Sequence, residues 1–360
     1  MKKVLFLFAT LFVATTLSAQ QFTLSGVAPT GAKQVYLQYL PESVSDSVSV
    51  DAAGQFVFRG NADGKHIVRV FTTGEQHASL VVFAEGAVTA DLVNLEAHGN
   101  AETDSLTAYQ ACIRQLTQPV YAQRQQLMDK RNSGAELTEE DLAAFYAVAD
   151  SVEQQMMQYS KRVLAQNATM RFPAYIVLDG VNDFSREDLI ALDVPTNAFM
   201  KEPCLDKVRN LIEAYRRTQV GTRFVDFEMA DTAGVMHRLS EFVGTGHYVL
   251  IDFWATWCGP CMRELPNVKA LYDKYHERGF DIVGISFDTE GENWRAVIQR
   301  KEMNWIHLSD LGGWKSLPVD FYGVRAIPFT MLIAPDGTIL QTNLAGERLS
   351  TCLSEIFDQQ

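Results

Sequence analysis

Cysteine is sparse in this 360-residue chain: there are five, at positions 112, 204, 258, 261 and 352. A set that is odd in number and thinly spread excludes a small scaffold built on disulfides. It also leaves at least one thiol free or paired with another molecule. Histidine is scattered too. His237, His247, His276 and His307 stand singly, so the close pair Cys258 and Cys261 lacks the second ligand pair that a structural zinc site needs, and no metal is expected. Positive charge is in deficit, with 31 Lys and Arg against 44 Asp and Glu and a net charge of −13. That balance argues against nucleic acid and anionic lipid as partners. Long apolar runs are missing after residue 17, so no later segment is expected to span a bilayer.

The one apolar run lies at the start. Lys2 and Lys3 precede Val4 to Leu17, an apolar stretch broken only by threonines, and Ser18, Ala19 and Gln20 follow as a small-residue cleavage zone. This reads as a signal peptide over residues 1–19, directing the chain to the periplasm, with an uncleaved anchor as the alternative. No cysteine stands near the cleavage zone, so lipid attachment there is not expected.

The rest reads as two or three globular units at roughly 100–200 residues each. Over 20–103 short strands predominate: Phe22–Ser25, Val35–Tyr39, Gln55–Phe58, His66–Phe71, Ser79–Phe83 and Val88–Leu92, separated by turns such as Asp51-Ala52-Ala53-Gly54. That spacing predicts a β-rich, sandwich-like domain. Over 104–219 the period becomes helical. Leu106, Tyr109, Ile113, Leu116 and Val120 form one stripe, and Leu142, Phe145, Ala149, Val152, Met156 and Val163 form a second, read as core. Thr138 and Ser185, each followed by acidic residues, mark helix starts. From 220 to 360 strand and helix alternate. Tyr248–Trp254 and Phe280–Ser286 are buried-type strands, Phe329–Ala334 and Ile339–Leu340 a hairpin, and Leu349, Cys352, Leu353, Ile356 and Phe357 a terminal amphipathic helix. The fold class expected here is an α/β layered unit.

Chemistry concentrates at Trp257-Cys258-Gly259-Pro260-Cys261, where the first of these strands gives way to a helix. Unpaired N–H groups and the dipole at a helix start favour a thiolate, so Cys258 is the expected nucleophile. Cys261, three residues on, is close enough to resolve a mixed disulfide. Pro260 suits the first helical turn, where a missing N–H costs nothing. Asp252 interrupts the apolar strand six residues before Cys258. Buried, it holds its proton more readily than usual and suits proton exchange with Cys261; the alternative is an acid facing solvent on an edge strand. Glu264, near the helix start, either tunes the cysteines or simply complements the dipole. Ile327-Pro328 is a candidate cis bond ahead of the hairpin.

Phe253-Trp254-Ala255-Thr256-Trp257-Cys258-Gly259-Pro260-Cys261, with Asp252 before it and Pro266 after it, closely resembles thioredoxin. Cys261-Met262-Arg263-Glu264-Leu265-Pro266, Ser286-Phe287-Asp288 and Gly323-Val324-Arg325-Ala326-Ile327-Pro328-Phe329-Thr330 are similar to the TlpA/ResA branch of exported thioredoxin-like proteins. The resemblance covers about 220–360. It implies a thioredoxin fold and a thiol–disulfide oxidoreductase that needs no cofactor beyond its cysteine pair. Catalytic roles fall on Cys258, Cys261, Asp252 and Glu264, and substrate contacts on Trp257, Gly259, Pro260, Ile327 and Pro328, the last as a cis-proline. It further implies protein disulfides as substrates, the reductive direction, and a membrane-bound electron donor. Phe329 stands where thioredoxin has threonine. Two rival readings are a thiol peroxidase, whose Pro-x-x-x-Thr-x-x-Cys environment is absent here, and a binding module in the front half with a regulatory redox pair.

Overall fold

A computed structural model describes residues 21–42, 45–61, 64–75 and 77–358. The segment read as a signal peptide, 1–19, lies outside the described residues. The chain divides into two compact units, one running up to residue 180 together with 194–206, the other comprising 181–193 and 207 onward. The helical stretch 104–219 is thus shared between them.

The first unit is a β-sandwich followed by helices. Strands β1 (Gln21–Val27), β2 (Gln34–Tyr39), β3 (Ser45–Ser49), β4 (Gln55–Asn61), β5 (Ile67–Phe71), β6 (Ser79–Phe83), β7 (Gly86–Asp91) and β8 (Glu96–His98) form two four-stranded sheets, β4-β1-β7-β8 and β3-β2-β5-β6. Strict alternation explains the packing. In β4 Phe56 and Phe58 are buried while Gln55, Val57 and Arg59 are exposed, and in β1 Phe22 and Leu24 turn inward. These side chains share a core with Val35, Leu37, Val68 and Val70. Helix α1 (Ala101–Asn132) is tied to the sandwich at its start. Asn100 caps the Thr103 N–H, and Thr103 Oγ1 donates to the Phe83 carbonyl at 3.0 Å. Helix α2 (Glu139–Gln166) opens on a reciprocal Thr138/Asp141 capping box, and the short α3 (Pro173–Asp179) follows.

The apolar stripe expected to be core along α2 is only partly so. Val152 and Val163 are buried, Phe145, Ala149 and Met156 are half-buried, and Leu142 is exposed. Periodicity locates a helix face, but what covers that face is a tertiary matter. Here α2 packs chiefly on α1, so the stripe meets one neighbour instead of a full core.

The second unit is a seven-stranded sheet in the order β10-β9-β13-β12-β11-β14-β15, preceded by α4 (Arg186–Leu192) and α5 (Asp206–Arg217). Its strands are β9 (Glu228–Asp231), β10 (Met236–Arg238), β11 (Tyr248–Trp254), β12 (Phe280–Ser286), β13 (Ile306–Ser309), β14 (Phe329–Ile333) and β15 (Ile339–Thr342). Its later helices are α6 (Gly259–Tyr275), α7 (Gly291–Lys301), α8 (Leu317–Tyr322) and α9 (Gly346–Phe357). β11 pairs in parallel with β12 and antiparallel with β14, and all its residues but Tyr248 are buried, as its near-continuous apolar sequence requires. No helix among the described residues is long and apolar enough to cross a membrane.

Gly26 marks the tightest approach in the sandwich. A Cβ there would lie 1.8 Å from the Ala90 carbonyl oxygen and 2.9 Å from the Phe56 ring. Neither group can retreat without breaking the β1–β7 ladder or the core. Gly26→Ala is therefore expected to destabilise the protein by about 2 kcal/mol or more, read as a lower urea midpoint. An unchanged midpoint would show that the two strands can separate freely.

Candidate active site

The site forms where β11 ends. After Trp254 the chain turns through Ala255, Thr256 and Trp257, and α6 begins at Gly259 with Cys258 as its N-cap. The Cys258 Sγ accepts the Cys261 backbone N–H at 3.2 Å, so the sulfur occupies the helix-start position at which negative charge is favoured. Pro260 sits in the first turn. Cys258 and Cys261 are joined in a disulfide, Cα–Cα 5.3 Å, and both are buried. Trp257, Gly259 and Pro260 are exposed around the pair.

The turn before Cys258 is held by an acid just past the end of the neighbouring strand β12. The buried Asp288 carboxylate accepts the Thr256 backbone N–H at 3.0 Å, the Thr256 hydroxyl at 2.6 Å and the Ser286 hydroxyl at 2.7 Å. Asn293 Nδ2 donates to Thr256 Oγ1 at 2.9 Å. Ser286-Phe287-Asp288 stood out in the sequence only through its resemblance. Its visible signal was a polar pair closing an apolar strand, and the Thr256 partnership spans 32 residues.

Behind the disulfide lies a cavity of about 70 Å³, room for a few water molecules, lined by Asp252, Cys261, Glu264, Pro328 and Thr330 among others. Four residues singled out in the sequence thus meet in one space. Ile327, half-buried, does not line it, but the Ile327–Pro328 bond is cis and turns Pro328 into it. Asp252 pairs in register with Thr330 across β11 and β14, and so lies on the face of the sheet that Thr330 shares. Burial first, and the charge of Glu264 second, push the Asp252 carboxyl up to about 7. Glu264 is fixed in turn. Its Oε1 accepts the Gly346 N–H at the start of α9 (2.7 Å) and Asn267 Nδ2 (2.8 Å). An acid in the second turn of α6 thereby closes the first turn of α9, a link between residues 82 apart.

The remaining cysteines stand elsewhere. Cys112 is half-buried on α1, Cys204 is buried in a short turn before α5, and Cys352 is buried on α9, where burial pushes its thiol up. No cluster of metal-ligating side chains occurs among the described residues.

Residues 220–342 match the AhpC/TSA family model. The thiol-disulfide oxidoreductase ResA of Bacillus thuringiensis subsp. konkukian is 30% identical over 39% of this chain and 77% of its own length. The ResA of Geobacillus kaustophilus is 33% identical over 34% of this chain and 67% of its own. This chain belongs to the ResA-type thiol-disulfide oxidoreductases. Among solved structures, a thiol-disulfide oxidoreductase from Bacteroides fragilis is similar at 28% identity, covering 38% of this chain and 99% of that one with a TM-score of 0.36. A thiol:disulfide interchange protein from a Bacteroides species matches at 25% identity over 39% and 91%, with a TM-score of 0.35. The C-terminal unit has the thioredoxin-like fold of the family, and the redox pair, the buried acid and the cis-proline all fall within the matched residues. The β-sandwich and α4 fall outside them.

The raised carboxyl has a consequence for stability. Asp252 titrates near 3.8 when unfolded and near 7 when folded, so the folded state binds the extra proton between those values. Its contribution is fully present below about pH 4, falls as pH rises, and is gone above about 7. Asp252→Asn, which cannot ionise, is expected to gain stability relative to the parent across that window, by up to about 4 kcal/mol at pH 8. Urea titrations of both proteins at pH 4 and pH 8 measure it. A difference that does not change with pH would mean the carboxyl is solvated.

Proposed function

We propose that this protein is a periplasmic thiol–disulfide reductase acting on protein disulfides, with Cys258 as nucleophile and Cys261 as resolving thiol. The observation that carries this reading is the Cys258–Cys261 disulfide at a strand-to-helix junction, with the Asp252 carboxyl in the same cavity as Cys261.

The chemistry balances as follows. The Cys258 thiolate attacks one sulfur of a substrate disulfide. The first substrate sulfur leaves as thiolate and takes a proton from water, and a mixed disulfide forms on Cys258. Asp252, as carboxylate, accepts the Cys261 proton. The Cys261 thiolate then attacks Cys258 Sγ and closes the disulfide seen here, while the second substrate sulfur leaves as thiolate and takes up the proton that Asp252 accepted, restoring the carboxylate. The substrate gains two electrons and the pair loses two, so each turnover needs a dithiol donor to reopen it. We assign that role to a membrane-bound partner, as the resemblance implies. An acid titrating near 7 is matched to such proton transfer at neutral pH. Glu264 acts through Asp252, holding its proton affinity up. Trp257, Gly259, Pro260, Ile327 and Pro328 offer the surface that an extended substrate segment meets beside Cys258. Export rests on the Lys2–Gln20 segment.

Capture decides this reading. Cys261→Ser is expected to accumulate mixed disulfides between Cys258 and envelope proteins, and the double variant with Cys258→Ser to accumulate none. Peroxide turnover lost in Cys258→Ser, without captured proteins, would favour a thiol peroxidase instead. In stopped-flow resolution of a trapped peptide mixed disulfide, the rate is expected to rise with pH through about 7. Asp252→Asn should lower it by about a hundredfold and remove that limb. An unaltered pH profile would remove Asp252 from the reaction.

A further inference from the structure

β14 presents two faces. Pro328 and Thr330 look into the redox cavity, and Phe329, between them, points the other way. Its ring lies 5.8 Å from Phe253, the β11 residue paired with it in register. On that far face the outer side of Phe329 is covered by Arg186, the first residue of α4. The guanidinium carbon lies 4.6 Å from the Phe329 ring centre and 4.5 Å from that of Tyr215 on α5, so the cation stacks against two aromatic rings. Its terminal N–H groups reach two backbone carbonyls and one hydroxyl. Nη2 donates to the Tyr322 carbonyl at 2.9 Å and toward that of Gly323 at 3.5 Å, and Nη1 donates to Thr218 Oγ1 at 3.3 Å. No carboxylate forms an ion pair with Arg186 among the described residues. A half-buried cation with no carboxylate in contact, the Glu187 charge acting on it only from a distance, is costly, and planar stacking combined with a forked donor set is something Arg supplies and Lys does not.

The two carbonyls and the ring bracket the Tyr322–Phe329 loop at both ends, and Pro328 is the loop's last residue before β14. The Ser185/Asp188 capping box fixes where α4 starts and hence where Arg186 sits. Arg325, inside the loop, donates to the Val181 carbonyl and ties it to the same segment. The segment lies wholly outside the residues matched by the family model, which begins at 220.

We propose that Arg186 is a positioning residue for the Pro328 loop: it braces Phe329 and the Tyr322–Gly323 turn from the sheet face opposite the redox cavity, and so fixes the edge that a peptide disulfide meets beside Cys258. The proposal rests on the exchange reading above. Its effect is on docking. With the brace removed, Pro328 shifts while the cysteine pair, Asp252 and Glu264, held by other contacts, stay in place.

Steady-state reduction of a cyclic peptide closed by one disulfide, with dithiothreitol as electron source, tests it in the full-length protein. Arg186→Met keeps the aliphatic stem, and Arg186→Lys keeps the charge but not the planar fork. Both are expected to raise KM about tenfold while kcat changes less than about threefold. Phe329→Ala should raise KM similarly, and the double variant Arg186→Met with Phe329→Ala should be no worse than Phe329→Ala alone. A wild-type KM in Arg186→Lys, or losses that multiply in the double variant, would overturn the proposal. If Arg186→Met does not fold, Arg186→Lys enters the cycle in its place. Wild-type turnover with unshifted KM in the variants sinks this proposal alone; a wild-type protein inert on the peptide sinks the exchange reading with it.

Discussion

A carboxyl group buried in the middle of the central strand is the constraint from which the C-terminal unit's arrangement follows. β11 offers the core a run of large apolar side chains and one acid, Asp252, and desolvating an acid opposes folding unless it keeps its proton. The pleat sends Asp252 to one face and Phe253 to the other. A register slip of one residue on β14 would put Phe329 in the cavity and strand Pro328 and Thr330 on the opposite side. The Thr330 hydroxyl guards against this, donating to the Leu344 carbonyl at 2.7 Å and accepting the Leu344 N–H at 2.8 Å. One sheet thus separates two tasks: redox chemistry under α6, and aromatic and cationic bracing behind.

Glu264 shows how one side chain serves both fold and site. Its carboxylate closes the start of α9, where a negative charge is favoured, and the same charge disfavours ionisation of Asp252. The side chain that docks α9 therefore also adds to the burial that raises the neighbouring acid. Asp288 plays a comparable part on the other side of Cys258. Three of its hydrogen bonds come from the Thr256 and Ser286 groups, so the approach to the helix is set by strand β12.

What was legible in the sequence is what local rules encode. The helix-start cysteine pair, the strand acid before it and the proline before the hairpin each violate or punctuate a short pattern, and the structure brings Cys261, Asp252, Glu264 and Pro328 to one cavity. The strands with clean alternation, such as β4, could be read directly. β3 could not, because Ser45-Asp46-Ser47-Val48-Ser49 carries almost no apolar signal and is a strand by virtue of its pairing with β2. The bond from Asp288 to Thr256 and the stacking of Arg186 on Phe329 join residues far apart in the chain, and periodicity carries no information about such closures. For the same reason the helical stretch read as continuous, although α3 belongs with the sandwich and α4 with the seven-stranded sheet.

A second buried titrating group bears on the cost of Asp252. His307 on β13 lies between the rings of Trp254 and Trp305, and burial pushes it down to about 3. Its sign is opposite. A lowered histidine contributes stability that is present above its unfolded value near 6.5 and is lost as pH falls toward 3, whereas Asp252's contribution is present below about 3.8 and lost as pH rises toward 7. Between roughly pH 4 and 6.5 the two slopes oppose each other within one unit. The unit can therefore hold a buried acid that titrates near 7 without stability falling steeply as pH rises through the mildly acidic range. Trp254 stands between the two groups, lining the redox cavity on one side and meeting the imidazole edge-on at 5.6 Å on the other.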